Sequence, residues 1–112
     1  MHLFDMHCHL GLMANGEDVA QKAKSCELTL LDTGVLPSEF EVEQCRHASN
    51  DSVNVACGLH PWRVTDTLKD GEIEQLIECA RSYPLIGEVG LDFSNAHIQG
   101  ATRQVQAFER LV

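Results

Sequence analysis

Four short apolar runs punctuate the chain: "HLFDMH" (2–7), "ELTLLDTGV" (27–35), "SVNVACG" (52–58) and "PLIGEVG" (84–90). Each is six to nine residues of mostly branched or apolar side chains bounded by polar or turn-forming residues, the signature of a β-strand. Helical spacing fills the intervals. "GEDVAQKAKSCE" sets Val19, Ala23 and Cys26 on one side. "PSEFEVEQC" opens with Ser38 and Glu41 in capping-box spacing and carries Phe40, Cys45 and Ala48 near one face. "DGEIEQLIECARS" repeats apolar residues at Ile73, Leu76, Ile77 and Ala80, and "TRQVQAFERLV" at Val105, Phe108 and Val112. The predicted order is β-α-β-α-β-α-β-α within a single domain spanning residues 1–112. Alternating strands and helices predict a parallel sheet covered by helices. An open doubly wound sheet and a barrel both satisfy the pattern.

The polar residues sit where the strands end. "FDMHCHLG" (4–11) places Asp5, His7 and His9 at alternate positions, so an extended backbone turns all three to one face. Two imidazoles on one strand make a chelate for a divalent ion, and Asp5 is a candidate to support a ring from behind or to approach the metal itself. "LIGEVGLDF" puts Glu88 inside an apolar run, where an unpaired carboxylate is costly and a cation removes the cost. Its flanking Gly87 and Gly90 leave space around it. "GLHPW" (58–62) offers His60 as a substrate contact or as a loop histidine fixed by Pro61 and Trp62. Asp92 reads as a loop-holding hydrogen-bond acceptor, while His2, His47 and His97 carry no motif. Chemistry gathered at the C-terminal ends of parallel strands suits a (β/α)8 barrel. An open sheet would more often carry a glycine-rich first loop, and "CHLGLMANGED" does not match one.

Composition narrows the function. Apolar residues make up 44% and charged residues 22%, as in ordinary globular domains. A formal net charge of -9 excludes a basic nucleic-acid-binding module, though an enzyme reaching a phosphodiester through bound cations is compatible with it. Five scattered cysteines without a C-x-x-C pair, and the absence of a signal-like opening, predict reduced thiols in a cytoplasmic protein with no membrane span. Cys8, although between the two histidines, falls on the opposite strand face and is not a ligand candidate.

"DMHCHLG", "GLHPW" and "IGEVGLDF", in this order and spacing, resemble the TatD family of metal-dependent hydrolases and deoxyribonucleases. Gln104, Phe108 and Leu111 resemble the segment that follows the family's glutamate motif. The resemblance implies the N-terminal half, four βα units, of a (β/α)8 TIM barrel, and one or two divalent ions such as Mg, Mn or Zn. It implies His7 and His9 on the first metal, Glu88 bridging to a second and acting in catalysis, and His60 at the substrate. DNA or another phosphoester is then the partner. A full barrel needs about 250 residues, so the expectation is a chain truncated after its fourth unit, lacking the family's later ligands. Its open barrel edges would favour self-association. Two other readings stay open. One is a phosphoesterase or amidohydrolase of a related metal-dependent family, because "DMHCH" resembles the start of those too. The other is an inactive half-barrel with a binding role.

Overall fold

The computed structural model describes residues 1–112 and begins with a three-stranded parallel sheet: β1 (Leu3–Cys8), β2 (Leu28–Thr33) and β3 (Val53–Ala56), ordered β1-β2-β3. Helix α1 (Gly16–Ser25) connects β1 to β2, α2 (Phe40–His47) connects β2 to β3, α3 (Asp70–Ser82) follows β3, and α4 (Ala101–Leu111) closes the chain. Parallel neighbours joined through helices are the βα units that the alternating pattern predicts. No helix is long and apolar enough to cross a membrane.

The fourth predicted strand is reduced to an isolated bridge between Cys57 and Ile86. The backbone of 85–88 still finds partners. Cys57 N–H donates to the Leu85 carbonyl at 3.2 Å, and Gly87 N–H to the Cys57 carbonyl at 2.9 Å. The next bonds leave β3: Gly34 N–H donates to Gly87 O at 2.8 Å, Glu88 N–H to Gly34 O at 3.2 Å, and Leu59 N–H to Glu88 O at 2.7 Å. The segment therefore straddles the loops after β2 and β3 rather than extending a ladder. Glycines make this close approach feasible. A Cβ on Gly58 would stand 2.2 Å from Glu88 N, and one on Gly34 would stand 2.6 Å from Gly58 N.

The core has two lobes. Cys8, Leu10, Ala20, Ala23, Leu30, Val53 and Val55 pack between α1 and the sheet. Cys57, Leu59, Val64, Ile73, Leu76, Cys79 and Ala107 pack between the end of β3, α3 and α4. Phe40 touches both lobes and meets Tyr83 edge-on, with ring centroids 5.0 Å apart. Ile73 is 1% exposed, and burying such a side chain stabilises by about 1.5–3 kcal/mol.

Several helix faces differ from the spacing prediction. On α1 the buried positions are Gly16, Ala20 and Ala23, while Cys26 is exposed. On α2 Cys45 and Ala48 face solvent and His47 is buried. On α4 Gln104 and Ala107 are buried, with Val105 and Phe108 half-buried. The Ser38–Glu41 capping box does not form. Residues Pro37–Glu39 make a 3-10 turn instead, and Ser38 N–H donates to Glu72 Oε2 at 3.1 Å, tying α2's entry to α3. On β1, Leu3, Phe4 and Met6 are exposed, and the strand's outer edge has no neighbour. The five cysteines are all free.

Candidate metal centre at the strand ends

Three of the residues singled out in the sequence meet at the C-terminal end of the sheet. His7 Nε2 and His9 Nε2 lie 3.2 Å apart, and Glu88 Oε2 stands 3.1 Å from the first and 3.2 Å from the second. Donors bound to one cation at about 2.0–2.2 Å stand about 3.0–3.4 Å apart, between octahedral and tetrahedral angles. The observed triangle has those edges, so one ion fits all three atoms.

Local structure explains the convergence. β1 and β2 run in register from Leu3 to Asp5, then slip, so that Cys8 rather than His7 faces Asp32. This bulge re-aims the strand end, as bulges beside functional sites do. His9 leaves the strand and its Nδ1–H donates to the Thr33 carbonyl at 2.8 Å. The other ring nitrogen, Nε2, therefore carries a lone pair toward Glu88. Thr33 Oγ1 reinforces the arrangement, donating to Cys8 O at 3.1 Å and lying 3.3 Å from His9 Nδ1. Thr33 carried no signal in the sequence beyond its place at the end of an apolar run.

Asp5 is not part of the triangle. Its carboxylate accepts the backbone N–H of His7 at 3.1 Å, which holds the bulge rather than a ring. Cys8 also stays out. Burial, assisted by the charges of Asp32 and Asp5, pushes its thiol up to about 11, and the sulfur donates weakly to Leu31 O at 3.4 Å.

His60 plays a different part from the other two imidazoles. Its Nδ1 accepts the Trp62 backbone N–H at 3.2 Å, so its proton sits on Nε2, 3.4 Å from Glu88 Oε2. Burial is the largest influence on this ring and lowers its pKa below the usual 6.5, with Glu88 pulling the other way. A neutral ring with Nε2–H aimed at the carboxylate is a hydrogen-bond donor at the centre's rim. Trp62 stacks on His97 with centroids 4.9 Å apart, and its indole N–H donates to Asp92 Oδ2. Asp92 Oδ1 accepts Ser94 N–H at 2.8 Å. Gln104, 1% exposed, brackets the same residue: Asp92 N–H donates to its Oε1 at 2.7 Å, and its Nε2 donates to Asp92 O at 3.0 Å. Asp92 thus fastens the loop after Glu88 to α4 and to Trp62.

The sequence of residues 4–112 matches the family described as TatD related DNase. The chain belongs to this family. Among solved structures it is similar to the TatD homologue YjjV of Escherichia coli, with a TM-score of 0.69 at 20% identity. The superposition covers 97% of this chain and 47% of that one, so the chain spans about half the length of its structural relative. No curated protein matches it. The fold is accordingly α/β, a run of βα units matching about half of a TatD-type TIM barrel, in a family of metal-dependent hydrolases.

A second set of donors was not legible in the sequence. Asp32, Glu43 and His47 bring three ligand atoms within 4.8 Å of one another. Asp32 interrupts the apolar run "LTLLDTG" as Glu88 interrupts its own, and that interruption was the available signal.

Proposed function

We propose that this chain contributes His7, His9 and Glu88 to a divalent-metal centre that hydrolyses phosphodiester bonds, with DNA as substrate. The observation that carries the reading is the triangle of three donor atoms 3.1–3.2 Å apart at the open end of a parallel sheet. A divalent ion bound there supplies an activated water and neutralises charge that develops on phosphate oxygens. The chain's own residues do the rest. Thr33 locks the tautomer of His9, so that its free nitrogen faces the site as a ligand. Glu88 takes the positive charge that two neutral imidazoles cannot balance. His60 keeps an Nε2–H beside Glu88, within reach of a phosphate oxygen held at the same place. A chain of net charge -9 repels a polyanion, and the bound cation is what makes approach favourable. The imidazole pair favours Mn²⁺ or Zn²⁺ over Mg²⁺, which prefers oxygen and water.

The test is direct. The 112-residue chain is incubated with end-labelled single-stranded DNA and Mn²⁺, and in parallel with a phosphomonoester. The expected result is metal-dependent strand cleavage that falls about 10²-fold or more in Glu88→Gln and His9→Asn. Equal cleavage by these variants would remove the site assignment. Hydrolysis of the monoester with DNA left intact would move the substrate class. A metal-loaded chain inert on both would return it to a binding role.

A further inference from the structure

We propose that Asp32, Glu43 and His47 form a second cation site, a structural one for a borderline divalent ion of the Zn²⁺ type with a cleft-side position left to water, separate from the centre at the strand ends. The His47 side chain is 3% exposed and its Nε2 has no hydrogen-bond partner, an orphaned polar atom in the protein interior. Native interiors rarely leave such an atom unpaired. It points at two carboxylates, with Asp32 Oδ2 at 3.9 Å and Glu43 Oε2 at 3.8 Å.

Those separations decide what fits between the groups. They exceed the roughly 2.7–3.2 Å of a direct hydrogen bond. They also fall short of the roughly 4.5 Å that separates two groups bridged by one water at normal angles. A cation bonded at about 2.2 Å and viewed at near-trigonal angles spans about 3.8 Å. Small inward shifts would bring the donors to tetrahedral spacing.

Each carboxylate is also oriented from behind, as metal ligands are. Asp32 is 4% exposed, and its Oδ1 accepts Leu10 N–H at 2.7 Å, leaving Oδ2 to face His47. Arg46 Nη1 donates to both oxygens of Glu43, at 2.7 and 2.8 Å. One imidazole nitrogen with two carboxylate oxygens is a donor set for a borderline ion. A cleft of about 330 Å³ lined by Asp32, Glu43 and Arg46 reaches the site from solvent. Asp32 lies on β2 and both other donors on α2, so a bound ion would staple helix to sheet. A proton on His47 is the rival occupant, but at 3.8–3.9 Å it completes no hydrogen bond.

The experiment uses the 112-residue chain in metal-free form, titrated with Co²⁺ as a spectroscopic stand-in for Zn²⁺ and then with Zn²⁺ itself. The unaltered chain is expected to take two equivalents. The variant His7→Asn/His9→Asn/Glu88→Gln, which removes the outer centre, is expected to keep one, with a visible Co²⁺ spectrum and a melting temperature raised by the metal. Adding Glu43→Gln, at a side chain 19% exposed and therefore tolerant, should weaken that remaining binding at least tenfold. Adding His47→Gln should do the same, with circular dichroism of the metal-free variants checking that the buried substitution still folds. A triple variant that binds no ion, or whose binding is unchanged by Glu43→Gln, would overturn the proposal. Neither result depends on whether the outer centre cleaves DNA.

Discussion

The two donor triads share their chemistry and differ in their surroundings. At the strand ends two imidazoles and one carboxylate stand 3.1–3.2 Å apart, with the His7 side chain 53% exposed. Under α2 one imidazole and two carboxylates stand farther apart, and His47 and Asp32 are almost fully enclosed. An open triad can give coordination positions to water and substrate, which a catalytic centre requires, whereas a triad of buried donors reached through a cleft is better suited to holding an ion. Burial also reverses the electrostatic cost. Desolvation raises the pKa of Asp32 above its usual value despite the Leu10 hydrogen bond and the nearby histidines. The inner carboxylate therefore needs a partner charge, while solvent shares that burden at the outer triad.

The sharpest way to break the comparison is to disturb one triad's backbone and leave the other alone. Gly58→Ala does so, because the new Cβ would stand 2.2 Å from both Glu88 N and Gly87 O. Backbone cannot yield there without carrying Glu88 away from the histidines. Metal affinity at the strand ends should fall about 10²-fold or more, the order expected for ångström-scale misplacement. Binding at Asp32, Glu43 and His47 should persist. Co²⁺ titration resolves the two, and equal losses at both would mean that the triads are one coupled structure.

A milder step acts on ring orientation. Thr33→Val removes the hydroxyl that donates to Cys8 O and lies beside His9 Nδ1, while keeping the backbone carbonyl that fixes the tautomer. Metal affinity at the outer triad should drop about tenfold, the lower end for groups that orient a ligand. The buried Cys8 carbonyl loses a donor, so stability should also fall by about 1 kcal/mol, read from urea melts. A loss as large as that of Gly58→Ala would mean that the hydroxyl, not the carbonyl, holds the ring.

How much of this was readable in the chain follows the same division. β1, β2, β3 and the extent of α3 follow from apolar period, and the outer triad from an H-x-H at a strand end and a charge within an apolar run. The fourth strand was misread because "PLIGEVG" looks continuous, whereas its backbone crosses from β3 to Gly34 over the bare Cα atoms of Gly34 and Gly58, a choice made by tertiary contact. Asp5 shares the alternation of His7 and His9, yet a bulge between Asp5 and Cys8 diverts it to a backbone amide. His47 could not be picked out, because helical spacing on α2 favoured Phe40, Cys45 and Ala48. Which face of so short a helix turns inward depends on what lies beneath it, here Asp32. Gln104 entered only through a family resemblance, and its reason is physical: its amide pairs with both backbone groups of Asp92.

The smallest effect is expected from Asp92→Asn, which tests whether the loop after Glu88 belongs to the outer triad or merely borders it. Asp92 is tied to Ser94 and Trp62 and touches none of the three donors. Metal affinity should therefore stay within about twofold of the unaltered chain, the range of substitutions that leave a site alone. Its signature lies in acid. The Ser94 hydrogen bonds, followed by the Trp62 indole, hold the Asp92 carboxyl below its usual 3.8. A carboxyl with a depressed folded pKa contributes stability above the unfolded value and loses it as pH falls through the folded one. Melting temperatures measured from pH 5 downward should fall less steeply in Asp92→Asn than in the unaltered chain. Trp62 is the only tryptophan, so its fluorescence follows the same loop independently. An affinity loss approaching that of Thr33→Val would bring Asp92 inside the metal centre, and the boundary drawn between the centre and its supporting loop would have to move to include α4.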